Sequence, residues 1–409
     1  MRSIAARFDR LNIQAPGKLP DVKPQLTDLL TLRLETPMYG GGAKNGVTDT
    51  NYPVRISSLR GNLRYWWRML FAKGRKGDEL RKAESAIWGS TSEPSSVKIF
   101  VECAPYNTQL ERDNNFYGFQ KRYGTEAYAL FPATNADHKL TKQGMTFTLN
   151  ILYANKLSSE DIRQVRFATA AWIYFGGLGA RTRRGLGTVK CEKIELNSGG
   201  RLPDLKEVLA ENKDIVLWTL SANNALSAWN YALEQYRRYR QQRNDSNENG
   251  KNRGRSHWPE PDSIRMLTGQ GNPRHKKPIT DPIPAFPRAA LGLPIIFQFV
   301  HENGLEKVTI KGKQPGKKDP AERMSSPVIT KAIFYNNKWQ SAVIILPRQD
   351  ALNITPVHDI KNVKSKEEII GVKDERYITI KTKYNPTQRA DNAIDGFENY
   401  IKNNGFNKI

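Results

Sequence analysis

Four short segments in the first half of the chain have the apolar pattern of β-strands. Residues 28–36 and 145–153 alternate apolar and polar positions, so every second side chain of an extended backbone would face a core. Residues 97–103 and 187–196 predict two more strands. A glycine-rich polar segment, 38–53, follows the first strand and predicts a loop.

Helical periods separate these strands. A helix predicted from Ser58 to about residue 73 has one narrow apolar stripe, and a shorter helix is predicted over 78–87. The stripe consists of Leu59, Leu63, Trp66 and Leu70. A second long helix begins at Ser158 and Asp161, which have capping-box spacing, and ends at Gly176 and Gly177. Its apolar face consists of Val165, Ala168, Trp172 and Phe175.

The order of these elements predicts the fold. Strand, helix, strand, strand, helix, strand is the split β-α-β pattern of ferredoxin-like domains, which we assign to residues 1–205. The second half, 206–409, predicts a further embellished copy of the fold with a basic insertion at 237–277. Its predicted elements are a strand at 215–220, a helix at 224–241, a strand at 293–300, a hairpin of 328–335 and 339–346, and a helix at 389–402. The fold class is therefore α+β: two ferredoxin-like domains packed together, with antiparallel sheets and helices on one face.

Charge indicates the kind of partner. The 409 residues include 64 Lys and Arg against 41 Asp and Glu, a formal net charge of +23. Such an excess favours a polyanion. Two cysteines and five scattered histidines exclude a disulfide scaffold and leave no recognisable metal motif, so we predict no metal and no cofactor. We expect no signal peptide, no membrane span and no small-molecule substrate, and a cytoplasmic location.

The sharpest candidate site is the sequence GLGARTRRGLG at 177–187, called here the glycine-rich loop. Its glycines are Gly177, Gly179, Gly185 and Gly187, and its arginines are Arg181, Arg183 and Arg184. No acidic residue lies between 162 and 191. Clustered amides and guanidinium groups suit a phosphate chain. A nucleotide P-loop is excluded because GK[ST] is missing and no strand precedes the loop. The alternative is a solvated turn.

Two further candidates lie upstream. The first long helix has an arginine face of Arg60, Arg64 and Arg68, with Arg55 just before it, and no acidic residue lies between 50 and 77. An ordinary surface helix would mix charges of both signs. Trp67, at the border of that face, and Tyr39, in the loop Tyr39–Lys44, are candidates to stack on bases. The alternatives are a solvated helix face, a flexible loop and tryptophans that belong to the core.

Evidence for catalysis is weak. Trp258 and Arg265, in HWPEPDSIR at 257–265, could contact RNA, but a structural loop with a buried Trp258 is favoured. His138 is the sole histidine of the first domain and a poor candidate for a general base. We therefore predict no catalytic residue.

At the glycine-rich loop the chain resembles the RAMP superfamily of CRISPR proteins, whose hallmark is G-h-G-x5-G-x-G after the last helix of a ferredoxin-like domain. Other stretches resemble the first RAMP subunit of the type III-B (Cmr) effector complex. These stretches are TPMYGGGAKN at 36–45, ISSLRGNLRYWWRML at 56–70, IWGSTSEPSSVKI at 87–99, HWPEPDSIR at 257–265, FPRAALGLPIIF at 286–297 and RMSSPVITKAIF at 323–334. The resemblance covers both halves and most of the chain.

The resemblance implies a non-catalytic subunit that holds the 3′ region of guide RNA and captures single-stranded target RNA in antiviral defence. The implied partners are these two RNAs and the other RAMP subunits of the Cmr complex. The positions implied to line an RNA groove are Lys44, Arg55, Arg60, Arg64, Arg181, Arg183 and Arg184. Two rival hypotheses remain open: a RAMP-type endoribonuclease that processes guide precursor, and a protein scaffold whose charge only confers solubility.

Overall fold

The computed structural model describes residues 26–43, 46–106, 109–110, 125–130, 140–197, 199–241, 255–271, 275, 284–299, 307–359 and 392–409. This part of the chain contains fourteen strands and nine helices. The strands are β1 (Leu26–Leu34), β2 (Met38–Tyr39), β3 (Val97–Glu102), β4 (Gln109–Leu110), β5 (Leu140–Thr141), β6 (Thr146–Tyr153), β7 (Val189–Leu196), β8 (Val216–Ala222), β9 (Ile295–Phe297), β10 (Val308–Lys313), β11 (Val328–Tyr335), β12 (Lys338–Ile345), β13 (Thr355–His358) and β14 (Asn407–Lys408). The helices are α1 (Ile56–Phe71), α2 (Gly77–Trp88), α3 (Thr125–Leu130), α4 (Ser159–Phe175), α5 (Leu205–Glu211), α6 (Ala225–Arg240), α7 (Glu260–Thr268), α8 (Gln349–Leu352) and α9 (Ala393–Asn403). Two 3₁₀ turns span Thr182–Arg184 and Pro287–Leu291.

The sheet of the first half has the ferredoxin-like strand order. It runs β3-β6-β1-β7, and every pairing is antiparallel. The apolar stripe predicted for α1 is buried as expected, and α1 packs against α4. The capping box of Ser158 and Asp161 is present at the start of α4, and the helix ends at Phe175, immediately before Gly176. The prediction for this half is confirmed, with helix ends displaced by one or two residues.

The second half repeats the same order. Its sheet runs β11-β12-β8-β14, with α6 after the first of these strands in the chain and α9 before the last. The predicted hairpin is present, and Asn336 and Asn337 take positive φ angles of 50° and 58° at its turn. The fold class is confirmed. The remaining strands form two small sheets of three strands each, β13-β10-β9 and β2-β5-β4, which the sequence analysis did not predict.

The sheet of the second half is buried on both faces. Ile329 and Ile333 of β11 belong to the same core as the helices of the first half. Val328, on the opposite face, packs in a core with α9. Strands covered on both sides become continuously apolar, which explains the run VITKAIF. The division after residue 205 stays a prediction; α5, which begins there, packs against α4.

Candidate nucleic-acid interface

The glycine-rich loop connects α4 to β7 and is tied to β2 by backbone hydrogen bonds. Ala180 N donates to Tyr39 O at 2.7 Å, and Gly187 N donates to Pro37 O at 2.8 Å. Gly179 has a φ of +73°, and a Cβ placed there would lie 2.6 Å from Tyr39 O. The glycines therefore permit positive φ, as predicted. The group that approaches Gly179 closely is a backbone carbonyl oxygen of the protein itself, that of Tyr39.

Arg181 lies near the exposed tip of this loop. It is a non-glycine residue in the left-handed region, with a φ of 62°, and the neighbouring Gly179 and Ala180 are exposed. Burial lowers the pKa of Arg181, and the guanidinium groups of Arg184 and Arg323 lower it further. Among the described residues, no carboxylate forms a salt bridge with Arg181. Converging positive charges without a local acid form an environment that an anion would stabilise.

Arg183 and Arg184 point toward the second half of the chain. Arg183 donates to Ser326 O and, at 3.1 Å, to Tyr65 Oη. Arg184 donates to Val328 O at 3.0 Å, and its guanidinium carbon lies 4.4 Å from the centre of the Tyr236 ring. These contacts join the loop to α1, to α6, and to β11 with the residues just before it. The joint role of the three arginines in phosphate binding stays a prediction: Arg183 and Arg184 donate to carbonyl oxygens of the second half, and Arg184 also lies close enough to Arg181 to lower its pKa.

The arginine face of α1 is partly neutralised by α2. Arg64 Nε lies 2.7 Å from Glu84 Oε1, and Arg68 Nε lies 2.8 Å from Glu84 Oε2. Arg60 donates to Trp88 O, and burial lowers its pKa, with Arg64 contributing. The stretch between 50 and 77 lacks acids, but the fold brings one from outside it. The prediction of a face of one charge is corrected to a face with a single buried counter-charge.

Arg55 connects this helix to the loop after β2. Its Nη1 donates to Gly42 O at 2.9 Å, and its side chain is exposed. A Cβ on Gly41 would lie 3.4 Å from Gly179 Cα, so this loop and the glycine-rich loop are in direct contact. The loop that Arg55 bonds is therefore packed against the loop that contains Arg181. Lys44 lies outside the described residues.

The two aromatic candidates are core residues, so the prediction that they stack on bases is wrong. Trp67 has no exposed surface, and its Nε1 donates to Gln164 Oε1 of α4 at 2.9 Å. Tyr39 is 8% exposed because β5 pairs with β2 and covers it, with Leu140 directly opposite. A base cannot reach either ring.

The segment at 257–265 has a structural role, as favoured from the sequence. Trp258 is buried, and its Nε1 donates to Tyr239 O at 3.1 Å. Arg265 contacts Asp262 at 2.8 Å. His138 and residues 242–254 of the basic insertion lie outside the described residues. Within the described ranges, no group of three or more His, Cys, Asp or Glu residues is arranged to hold a metal ion.

Two residues near the glycine-rich loop were not predicted from the sequence, Lys331 and Arg323. Lys331 of β11 is fully buried, and its Nζ donates to Gly176 O at 2.6 Å and to Ile173 O at 3.3 Å, at the end of α4. Burial lowers the pKa of Lys331 to about 7. The sequence signal that could have identified Lys331 was its position as a lone lysine inside an apolar strand. Arg323 is exposed and lies close enough to Arg181 to act on its pKa, although 142 positions separate the two residues in sequence.

Comparisons with known proteins agree with this fold and this loop. Residues 31–190 match the model of the RAMP superfamily, and this match confirms the resemblance seen in the sequence. The chain is also similar to the CRISPR system Cmr subunit Cmr1-1 of Pyrococcus furiosus. The two are 29% identical over 157 residues, a match that spans 35% of this chain and only 42% of the relative.

A solved structure extends the likeness to both halves. The crystal structure of apo Cmr1 from Pyrococcus furiosus superposes with a TM-score of 0.50 at 15% identity, covering 93% of this chain and 98% of that one. At this identity the superposition shows a shared fold. Within the described residues, no helix is both long and apolar enough to cross a membrane.

Proposed function

We propose that this chain is a non-catalytic RNA-binding subunit of a type III-B CRISPR effector complex. In this role it holds the 3′ region of the guide RNA, captures single-stranded target RNA and contacts other RAMP subunits. The similarity to a Cmr subunit supports the complex, and the sequence resemblance supports the roles of the two RNAs. A cytoplasmic location remains part of the proposal.

The observation that best supports RNA binding is the environment of Arg181. Its neighbours Arg184 and Arg323 are positively charged, and no described carboxylate neutralises it. A phosphodiester in this position would relieve the repulsion among the guanidinium groups. Arg55 extends the cationic surface along the neighbouring loop. Contacts of this kind bind the RNA backbone without reading its sequence, so specificity falls to base pairing with the guide.

Titration of the purified full chain with a labelled single-stranded RNA at several salt concentrations tests this proposal. One phosphate contact on a single strand contributes about 0.7 to the slope of log affinity against log salt. Arg181→Ala should therefore lower the slope by about 0.7 and weaken binding about fivefold at 0.1 M salt. Arg201→Ala is the matched control, because Arg201 bonds Glu207 beside the start of α4. The 17 residues of α4 span about 25 Å, which separates the control from the loop.

The same mixtures distinguish the rival hypotheses. Denaturing gels should show intact RNA after long incubation, whereas discrete products would favour an endoribonuclease and make His138 the next residue to mutate. An unchanged salt slope in Arg181→Ala would refute the role of Arg181. Failure of the wild-type chain and of the assembled complex to bind RNA would favour a protein scaffold.

A further inference from the structure

An exposed apolar patch lies beside Arg55. Tyr52 is 74% exposed, Ile56 43% and Val47 41%. These three account for three of the eight large hydrophobic side chains that are exposed in the described part of the chain, and they lie within ten residues. Tyr52 is the most exposed of the eight. Neither the loop motif nor the arginine face accounts for this patch.

The loop that carries Tyr52 is held by its own hydrogen bonds. Gly42 N donates to Val47 O at 2.8 Å, and Thr48 Oγ1 donates to Gly40 O at 2.9 Å. Asp49 Oδ1 accepts from Tyr52 N at 3.1 Å. The backbone of Tyr52 is therefore positioned before any ligand binds. A ring presented in this way loses less conformational entropy on binding than one on a free loop.

We infer that Tyr52 stacks on an unpaired base of single-stranded RNA whose phosphates lie along Arg55 and Arg181. This inference rests on the proposed function and adds a base-contacting residue in place of Trp67 and Tyr39, which are buried. An exposed aromatic ring beside a cationic track is the arrangement that binds single strands without sequence preference.

Charge and size favour RNA over a protein as the ligand of this patch. Arg55 follows Tyr52 by three residues in the sequence, and the first turn of α1 contains no acidic residue and lacks a side-chain cap. The amides of that turn therefore add positive potential beside the patch. Three side chains are also far fewer than the 20 to 30 residues that a stable protein interface takes from each partner, about 800 Å² per side.

The test compares Tyr52→Ala and Tyr52→Phe in the full-length chain. The probes are a labelled 30-nucleotide oligouridine and inorganic polyphosphate of similar charge. Stacking on one base contributes about 1–3 kcal/mol, so Tyr52→Ala should weaken oligouridine binding about 5- to 140-fold with an unchanged salt slope. Its affinity for polyphosphate should stay the same, and Tyr52→Phe should bind both probes like the wild type. Phe100→Ala removes an aromatic ring that is 47% exposed on β3 and is the matched control.

The outcomes separate this inference from the proposed function. If the wild type binds RNA and Arg181→Ala weakens it while Tyr52→Ala does not, only the stacking inference fails. If Tyr52→Ala leaves RNA affinity intact and instead prevents assembly with neighbouring subunits, the patch is a protein-docking surface and the inference is wrong. If the wild type binds polyphosphate and RNA equally at every salt concentration, bases make no contribution and stacking is refuted. Thermal unfolding should be nearly unchanged in Tyr52→Ala, because the side chain is exposed.

Discussion

Lys331→Met should change how the stability of the protein depends on pH. The Lys331 amine is fully buried between α4 and β11, and burial lowers its pKa from 10.5 to about 7. Between these values the unfolded chain holds a proton that the folded chain has released, so the free energy of unfolding rises with pH. The contribution is at most about 1.4 kcal/mol per pH unit, or about 2 to 3 kcal/mol between pH 7.5 and 9.5.

Urea denaturation of wild type and Lys331→Met at pH 7.5, 8.5 and 9.5 measures this contribution. The difference in unfolding free energy between the two proteins should shift by about 2 to 3 kcal/mol in favour of the wild type across this range. Other titrating groups are common to both proteins and cancel in the difference. Lys338→Met, at an exposed position at the start of β12, should change in parallel with the wild type. Parallel curves for Lys331→Met as well would refute the low pKa of the buried amine.

Three further substitutions test the contacts around the glycine-rich loop. Arg184→Ala should lower the unfolding free energy by about 3 kcal/mol, because the bond to Val328 O and the stacking on Tyr236 are lost, and a urea titration measures this; a larger effect on RNA affinity than on stability would contradict its role in joining the two halves of the chain. Gly185→Ala should cost at least about 2 kcal/mol, since its Cβ would lie 2.7 Å from Thr330 O at a φ of +79°; an unchanged melting temperature would show that the loop can shift. Glu84→Gln removes the buried counter-charge of α1 and should steepen the salt slope of RNA binding by up to about 1.4, two phosphate contacts; an unchanged slope would place α1 outside the RNA path.

The positions of the first-half strands and helices along the chain were predictable because they depend on local pattern. The alternation in β1 and β6 and the capping box at Ser158 are signals that a few neighbouring residues carry. The hairpin of the second half was also predictable from the turn at Asn336 and Asn337, where positive φ angles suit asparagine.

Which arginines bond other parts of the chain was not predictable, because these contacts join residues that are distant in sequence. Arg183 bonds a carbonyl oxygen 143 positions away, and Lys331 reaches back 155 positions to Gly176. The same holds for Trp67, whose Nε1 donates to Gln164, 97 positions along the chain. Composition and spacing located the cationic segments correctly, but they could not say which side chains face solvent and which hold the two halves together.

The sheet that is buried on both faces has a consequence for the folding cooperativity of the protein. Ile329 and Ile344 complete a core that includes residues of α1 and α4, so the first half does not retain this full core without the second. Separation would also expose the Lys331 amine and the carbonyl oxygens that it satisfies at the end of α4. The protein should therefore unfold in one transition, with the amides of β11 among the slowest to exchange with solvent. We therefore expect the two halves to unfold together as one cooperative unit, not independently.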